Sequence, residues 1–470
     1  MSADPAADPG PERERAQRHR ALLWLCVAAV CGRWLLAART PVPAEDGVNY
    51  LWMAQRFAAG DAAAALAEPF SPLWPLLLAL PIACGAPAFL AGQVAGALVG
   101  GLGILPIAAI AERLRRGAGL PAAALATTSS VLARTAPEVL TEPLFVLVAG
   151  LGAWAGLAGR YCWLGVATGA AFLVRPEGAI LMLPWLVLRP RAAWRALPFA
   201  AGLIAAFAAW RMACGHGFDP VPKMQFHELR QDLGGARGDL PANALQAPGV
   251  FLEAFAGAAV LAVLSLWPRR RVALRAPDPT ARVAADDARR GERALWLLLG
   301  LGALVICTFV ARRRFFVSWA PAVLPLAGVA LARMQAIGAR GRELLLALCC
   351  GLDLWTSFHG TIAADRLAER LVGEYLGARL APGQTVVADM TRVLWFAGQR
   401  PLPPRHFDAA YYLEHAARPE VEFVVLHEES RRGIYGDVVR GLGAAFARFD
   451  LPGGLRDLAD RRGIAVFVRR

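Results

Sequence analysis

The chain has 470 residues, of which 57% are hydrophobic and only 19% charged, against about 25% charged in an ordinary soluble domain. That balance excludes a disordered chain, a coiled coil and most soluble enzymes. The formal net charge is +13, but the basic residues sit in short gaps between apolar runs. This is the pattern of topogenic loop charge, not of a nucleic-acid-binding face.

In chain order, residues 1–20 read as a polar cytoplasmic tail, with Arg13, Arg15, Arg18 and Arg20 just before an apolar run at 21–38. The run is long enough to span and contains Arg33, so it reads as an uncleaved first helix with a cytoplasmic N-terminus. An outer loop, 39–71, follows, and the Pro- and Leu-rich 72–86 fits a partly inserted helix. Further helices are expected near 88–111, 119–134, 138–158, 161–174, 178–189, 194–212, 248–268, 294–311, 315–333 and 344–362.

Segments 161–174 and 178–189 are short for a hydrocarbon core of about 30 Å, and one broken helix is the alternative to two crossings. Loop charge decides between them. With two crossings the inward gaps carry Arg113, Arg115, Arg116, Arg160, Arg189, Arg191, Arg195, Arg333, Arg340 and Arg342, together with the arginines of 269–293. One crossing would turn the 269–293 cluster outward. The expected fold is a polytopic α-helical membrane protein of about eleven spans over 21–362. Its C-terminus lies outside, and the bacterial inner (plasma) membrane is the expected location.

A long outer loop is expected at 213–247. Beyond 363, short β-rich runs (Thr385–Ala388, Phe423–Leu426, Ile464–Val468) alternate with helical stretches such as Asp365–Arg379. Residues 363–470 therefore read as a small extracytoplasmic α/β domain. Gly441-Leu-Gly443 lacks the strand and spacing of a dinucleotide site. Eight cysteines are scattered without a CxxC, so neither a disulfide framework nor a zinc site is indicated.

Five polar groups fall on the outer side. They are Glu45-Asp46 with Tyr50; Thr141-Glu142-Pro143; Arg175-Pro176-Glu177; His216, Asp219, Lys223, His227 and Glu228 of the long loop; and Arg312-Arg313-Arg314 at a tight turn. Each has a plain structural explanation. Asp46 can cap a helix starting near Gly47, Glu142 can complement a helix dipole, and Arg175 can snorkel to the interface. Together they gather ionisable groups from separate loops at one leaflet, where such groups are costly. That suits a site in which arginines hold an anionic lipid headgroup while a carboxylate activates a hydroxyl. With a lipid phosphate as leaving group, one base suffices and no general acid is needed.

At these residues the sequence resembles the bacterial branch of glycosyltransferase family 39, in the GT-C superfamily of lipid-linked-sugar glycosyltransferases. The likeness rests on Glu45-Asp46-Gly-Val-Asn-Tyr50-Leu-Trp-Met-Ala54, Phe57 to Asp61, Glu68-Pro-Phe-Ser-Pro-Leu-Trp-Pro75, Thr141-Glu-Pro-Leu-Phe145, Val174-Arg-Pro-Glu-Gly178, and Arg314-Phe-Phe leading to Pro321 and Pro325. The resemblance implies a GT-C-like fold, an aspartate base at Asp46 four residues before Tyr50, a second acid at Glu142, and Arg175 on the donor phosphate. Glu45, Tyr50, Glu177, Lys223, Arg312, Arg313 and Arg314 are the further substrate-binding candidates. Many such proteins carry Asp-Glu where this chain has Asp46-Gly47.

The implied reaction is inverting transfer of a sugar from a polyprenyl-phosphate donor to an acceptor hydroxyl on a protein, lipid or glycan, outside the membrane. Membrane lipids are partners and nucleic acid is not. A bridging divalent cation is left open. Acceptor choice is assigned to 213–247 and the C-terminal domain. A transporter or flippase for lipid-linked sugars is the alternative reading.

Overall fold

The structure is a computed structural model that describes residues 11–219, 240–266, 279–308, 313–359, 366–400, 409–428 and 434–470. Lys223, His227, Glu228 and Arg312 lie outside the described residues, and Arg313 is described in its backbone only.

The first part is helical: α1 (Pro11–Ala38), α2 (Glu45–Ala58), α3 (Ala62–Leu66), α4 (Leu73–Ala83), α5 (Ala88–Leu102), α6 (Ile104–Leu114), α7 (Gly119–Thr128), α8 (Ser130–Thr135), α9 (Glu142–Leu157) and α10 (Tyr161–Val174). A 3-10 stretch, Pro176–Met182, leads into α11 (Leu183–Leu188) and α12 (Pro190–Ala193). Then come α13 (Leu197–Ala213), α14 (Leu240–Leu264), α15 (Pro279–Thr308), a 3-10 stretch Arg313–Trp319, α16 (Ala320–Arg333) and α17 (Gly338–His359). Among the described residues, five stretches are long and apolar enough to cross a membrane: Glu12–Ala38, Ala88–Leu114, Pro190–Ala213, Ala244–Leu264 and Arg314–Arg333. Shorter apolar helices lie between them.

Several boundaries differ from the sequence reading. Residues 11–20 are not a loose tail but the start of α1, with Glu12 and Glu14 in its first turn, where carboxylates complement the dipole. The expected helix at 119–134 breaks at Ser129, whose backbone turns extended (ψ 115). The expected outer loop 213–247 is shorter, because α14 begins at Leu240. Arg282, Arg289, Arg290 and Arg293 ride on α15 instead of lying in a gap.

The segment after α10 folds back on that helix. At Arg175 the backbone turns extended (φ −154, ψ 132), and the chain reverses. Leu181 then packs on Gly152 and Trp185 on Gly156, so residues 176–188 run beside α9 toward its C-terminal end. A Cβ at Gly178 would lie 2.3 Å from the carbonyl carbon of Ala171, so only glycine lets the two arms meet. The 3-10 winding of Pro176–Met182 rises about 2.0 Å per residue, so this arm reaches roughly 23 Å including α11, longer than an all-α segment would.

Arginines of the gaps assigned inward meet at one end of this body. Arg18 pairs with Glu112 at 3.1 Å, Arg113 donates to the Leu157 carbonyl and Arg115 to that of Ala332, while Arg189 pairs with Asp287 and Arg333 with Glu292. Glu142 opens α9, the helix whose other end carries Leu157, and Arg175 follows the end of α10.

Residues 366–470 form a four-stranded sheet between helices. In chain order they are α18 (Leu367–Gly377), β1 (Thr385–Ala388), α19 (Thr391–Phe396), α20 (Ala409–Ala416), β2 (Val421–His427), α21 (Tyr435–Leu442), β3 (Phe446–Arg448), α22 (Gly453–Arg461) and β4 (Ile464–Arg469). The strand order is β1-β2-β4-β3, with β1 and β2 parallel and the other pairs antiparallel. Val386, Ala388, Phe423, Val425 and Val466 point to α18, α19 and α22; Val387, Val424, Leu426, Ala465 and Phe467 point to α20 and α21. This period-two alternation buries both faces of the sheet. The three strands read from sequence are present within two residues of their expected ends. The three-residue β3 carries too little pattern to be read.

Candidate active site

Two helix N-termini bring the expected acids together. Asp46 lies in the first turn of α2 and Glu142 opens α9, where the positive end of each helix favours a carboxylate. Asp46 is not the helix cap expected from sequence: α2 begins at Glu45 after Ala44, and the end has no side-chain cap. Its Oδ2 instead pairs with Arg314 Nη2 at 3.0 Å. The two chain segments meet because Gly47 has no side chain. A Cβ there would sit 2.4 Å from the Glu138 carbonyl oxygen, and Ala44 N–H donates to that same oxygen at 3.1 Å. Gly47, the departure from the Asp-Glu pattern, is thus a packing requirement. Gly47→Ala is expected to cost about 1–3 kcal/mol; an unchanged unfolding midpoint would remove this account.

The turn 136–141 that presents Glu142 is strained. Val139 is buried with φ 59, a region that costs a β-branched residue about 1–3 kcal/mol. Trp74 holds it by donating Nε1–H to its carbonyl at 3.3 Å, and its methyls fill the space over Gly92.

Arg175 does not snorkel. It is 13% exposed and donates Nη1–H to Glu142 Oε1 at 2.7 Å and Nε–H to Glu177. Glu142 is 3% exposed, and its other oxygen, Oε2, is buried and has no hydrogen-bond partner among the described residues. Phe315 lies between the two cations, its ring 5.2 Å from the Arg314 guanidinium and 5.9 Å from that of Arg175. Each contact contributes cation–π attraction. Tyr50 is buried, edge-on to Phe70 at 5.3 Å, and lines a narrow cleft of about 50 Å³ with Ser71, Thr141, Arg175 and Glu177.

Of the sequence candidates, then, Asp46, Tyr50, Glu142, Arg175, Glu177 and Arg314 gather in one place. Glu45 does not join the paired acids: it is 71% exposed and stands 4.0 Å from Arg392 of α19. His216 leaves the cluster as well, its Nε2 lying 2.8 Å from the Ala63 carbonyl oxygen. Among the described residues no three His, Cys, Asp or Glu side chains are placed to hold a metal ion. Asp46 is paired with Arg314, and Glu142 and Glu177 with Arg175, so this arrangement of the described residues does not fit a bridging cation.

Sequence reasoning missed Glu138, because it placed that residue at the start of a helix that begins only at Glu142. Burial raises the Glu138 carboxyl above its ordinary value, opposed by Arg366, Arg392 and Arg314. An acid whose folded-state pKa is raised stabilises the fold least once ionised, so stability falls as pH rises through that pKa. Glu138→Gln, which cannot ionise, should therefore gain in unfolding midpoint relative to the native chain as pH rises from the ordinary carboxylate range. A midpoint difference that does not change with pH would contradict the burial.

The fold of this helical body with its sheet-bearing C-terminal unit has counterparts among solved structures. The chain is similar to ArnT from Cupriavidus metallidurans bound to undecaprenyl phosphate, with a TM-score of 0.59 and 16% identity over 95% of this chain and 97% of that one. It is also similar to the Archaeoglobus fulgidus oligosaccharyltransferase in complex with zinc and sulfate, with a TM-score of 0.57 and 13% identity over 92% of this chain and 72% of that one. At these identities the likeness carries the fold alone. No protein-family model and no curated protein matches the chain.

Proposed function

We propose that the protein is an integral-membrane glycosyltransferase that moves a sugar from a polyprenyl-phosphate carrier to an acceptor hydroxyl on the extracytoplasmic face, with inversion. The observation that carries this reading is the pairing of Asp46 with Arg314 beside the Glu142–Arg175–Glu177 group, two cations and their acids around one aromatic ring. The GT-C fold and a structural neighbour that binds undecaprenyl phosphate support it.

In this reading the donor phosphate draws Arg314 away from Asp46 and shares it with Arg175. Asp46, freed of its cation, takes the proton of the acceptor hydroxyl. The hydroxyl oxygen attacks the anomeric carbon from the side opposite the phosphate. The bond from that carbon to the phosphate oxygen breaks, and polyprenyl phosphate leaves with its charge on Arg175 and Arg314. Glu142, locked to Arg175, holds that guanidinium in place. The end of the body rich in gap arginines is assigned to the cytoplasm and the acid-bearing end to the outside. Residues 366–470 are assigned to the outside as a separate domain. The reversal at Arg175 supports two crossings over 161–188, as eleven spans require.

The test is reconstitution in liposomes with radiolabelled polyprenyl-phosphate mannose and arabinose and an extract of cell-envelope acceptors. Sugar transferred from either carrier supports the reading and begins to identify the donor. Intact lipid-linked sugar that changes leaflets without cleavage would establish a transporter in its place.

A further inference from the structure

The segment joining α1 to α2 contains Pro41 and Pro43, which have no N–H and cannot enter a ladder. Its carbonyls are therefore the groups that other elements can hold. Gln93 of α5 donates Nε2–H to the carbonyls of Ala37 and Thr40, both at 3.2 Å. Arg370 of α18 donates to the Pro41 carbonyl at 3.1 Å, and Arg392 of α19 donates Nε–H to that of Pro43 at 2.7 Å. Two of these three holders belong to the sheet-bearing C-terminal unit.

Arg392 is built for this task. It is 5% exposed, and its Nη1 pairs with Glu369 Oε2 at 2.8 Å, while the other Glu369 oxygen meets Arg462 at 3.5 Å. A buried guanidinium fixed on one edge by a carboxylate keeps its Nε–H pointed at one carbonyl. Asp46 follows Pro43 by three residues, at the start of the helix that this carbonyl leads into.

We propose that Arg392 is a positioning residue for Asp46: the C-terminal unit grips the 40–44 segment and so sets where the carboxylate stands. This rests on the reading of Asp46 as the base, because a base displaced by a fraction of its hydrogen-bond reach loses turnover rather than donor affinity.

The test uses the full-length protein in nanodiscs, with Arg392→Lys and, on the more exposed rim, Arg370→Ala. Hydrogen exchange is followed at Ala44, whose amide bonds to the Glu138 carbonyl, and at Val48, whose amide bonds to that of Ala44. The expected result is exchange about tenfold faster at both amides, with β1, β2 and β4 keeping their native protection. In Arg392→Lys, kcat is expected to fall about tenfold while the donor KM stays within about twofold. Unchanged exchange at Ala44 and Val48 in a folded variant overturns the proposal. So does equal loss of protection across the sheet, which would make Arg392 a support of the C-terminal unit only. If Arg392→Lys does not fold, Arg370→Ala decides by the same exchange measurement. Should the native protein transfer no sugar, the exchange result still decides the grip, and the enzymatic reading falls separately.

Discussion

Replacing Asp46 by asparagine is expected to abolish sugar transfer and leave the protein folded. Asparagine keeps the size of the side chain and its place in the first turn of α2 but cannot take a proton. Loss of a positioned general base lowers turnover by about 10²–10⁴-fold. The structural cost is small, because the Asp46–Arg314 pair is partly exposed on both sides, and such pairs contribute up to about 1 kcal/mol. Size-exclusion profile and unfolding midpoint should match the native protein while release of sugar from the lipid carrier falls to background. Transfer retained at a tenth of the native rate or more would sink the base assignment.

Arg175→Ala is expected to damage both stability and activity, and the two can be separated. The substitution strips Glu142 of the arginine paired with its Oε1, while its Oε2 is already buried without a partner among the described residues. Breaking a buried pair on one side costs about 3–5 kcal/mol, whereas removing both charges costs far less. The Arg175→Ala, Glu142→Gln double variant should therefore recover most of the lost unfolding midpoint. Transfer should stay strongly reduced in it, because Arg314 alone remains to hold the donor phosphate. Arg175→Lys keeps the charge but cannot serve Glu142 and Glu177 with separate N–H groups, so it should fall between. If the double variant recovers transfer along with stability, Arg175 is a structural residue and the phosphate must be held elsewhere.

Hydropathy alone was sufficient to place most of the helices, because a segment that faces lipid must be apolar along its length. Short runs rich in β-forming residues similarly revealed β1, β2 and β4. What periodicity could not show were departures from regular winding: the break at Ser129, the 3-10 arm at Pro176–Met182 and the late start of α9 at Glu142. These depend on what each turn packs against. The same holds for Gly47, whose role is to leave room for a carbonyl 91 positions away along the chain, that of Glu138.

The candidate site divides along the same line. Sequence by itself singled out Asp46, Tyr50, Glu142, Arg175, Glu177 and Arg314, since ionisable residues at the ends of apolar runs are conspicuous and costly. It gave no means of pairing them. Only tertiary structure decided that Asp46 meets Arg314, that Arg175 joins Glu142 to Glu177, and that Glu45 turns instead toward Arg392. Only tertiary structure, too, set Arg370 and Arg392 on the carbonyls before Asp46. Composition and spacing record how much a segment gains by leaving water, a property of the segment alone. An ion pair between residues hundreds of positions apart depends on the packing of every helix between them, and no local pattern carries it.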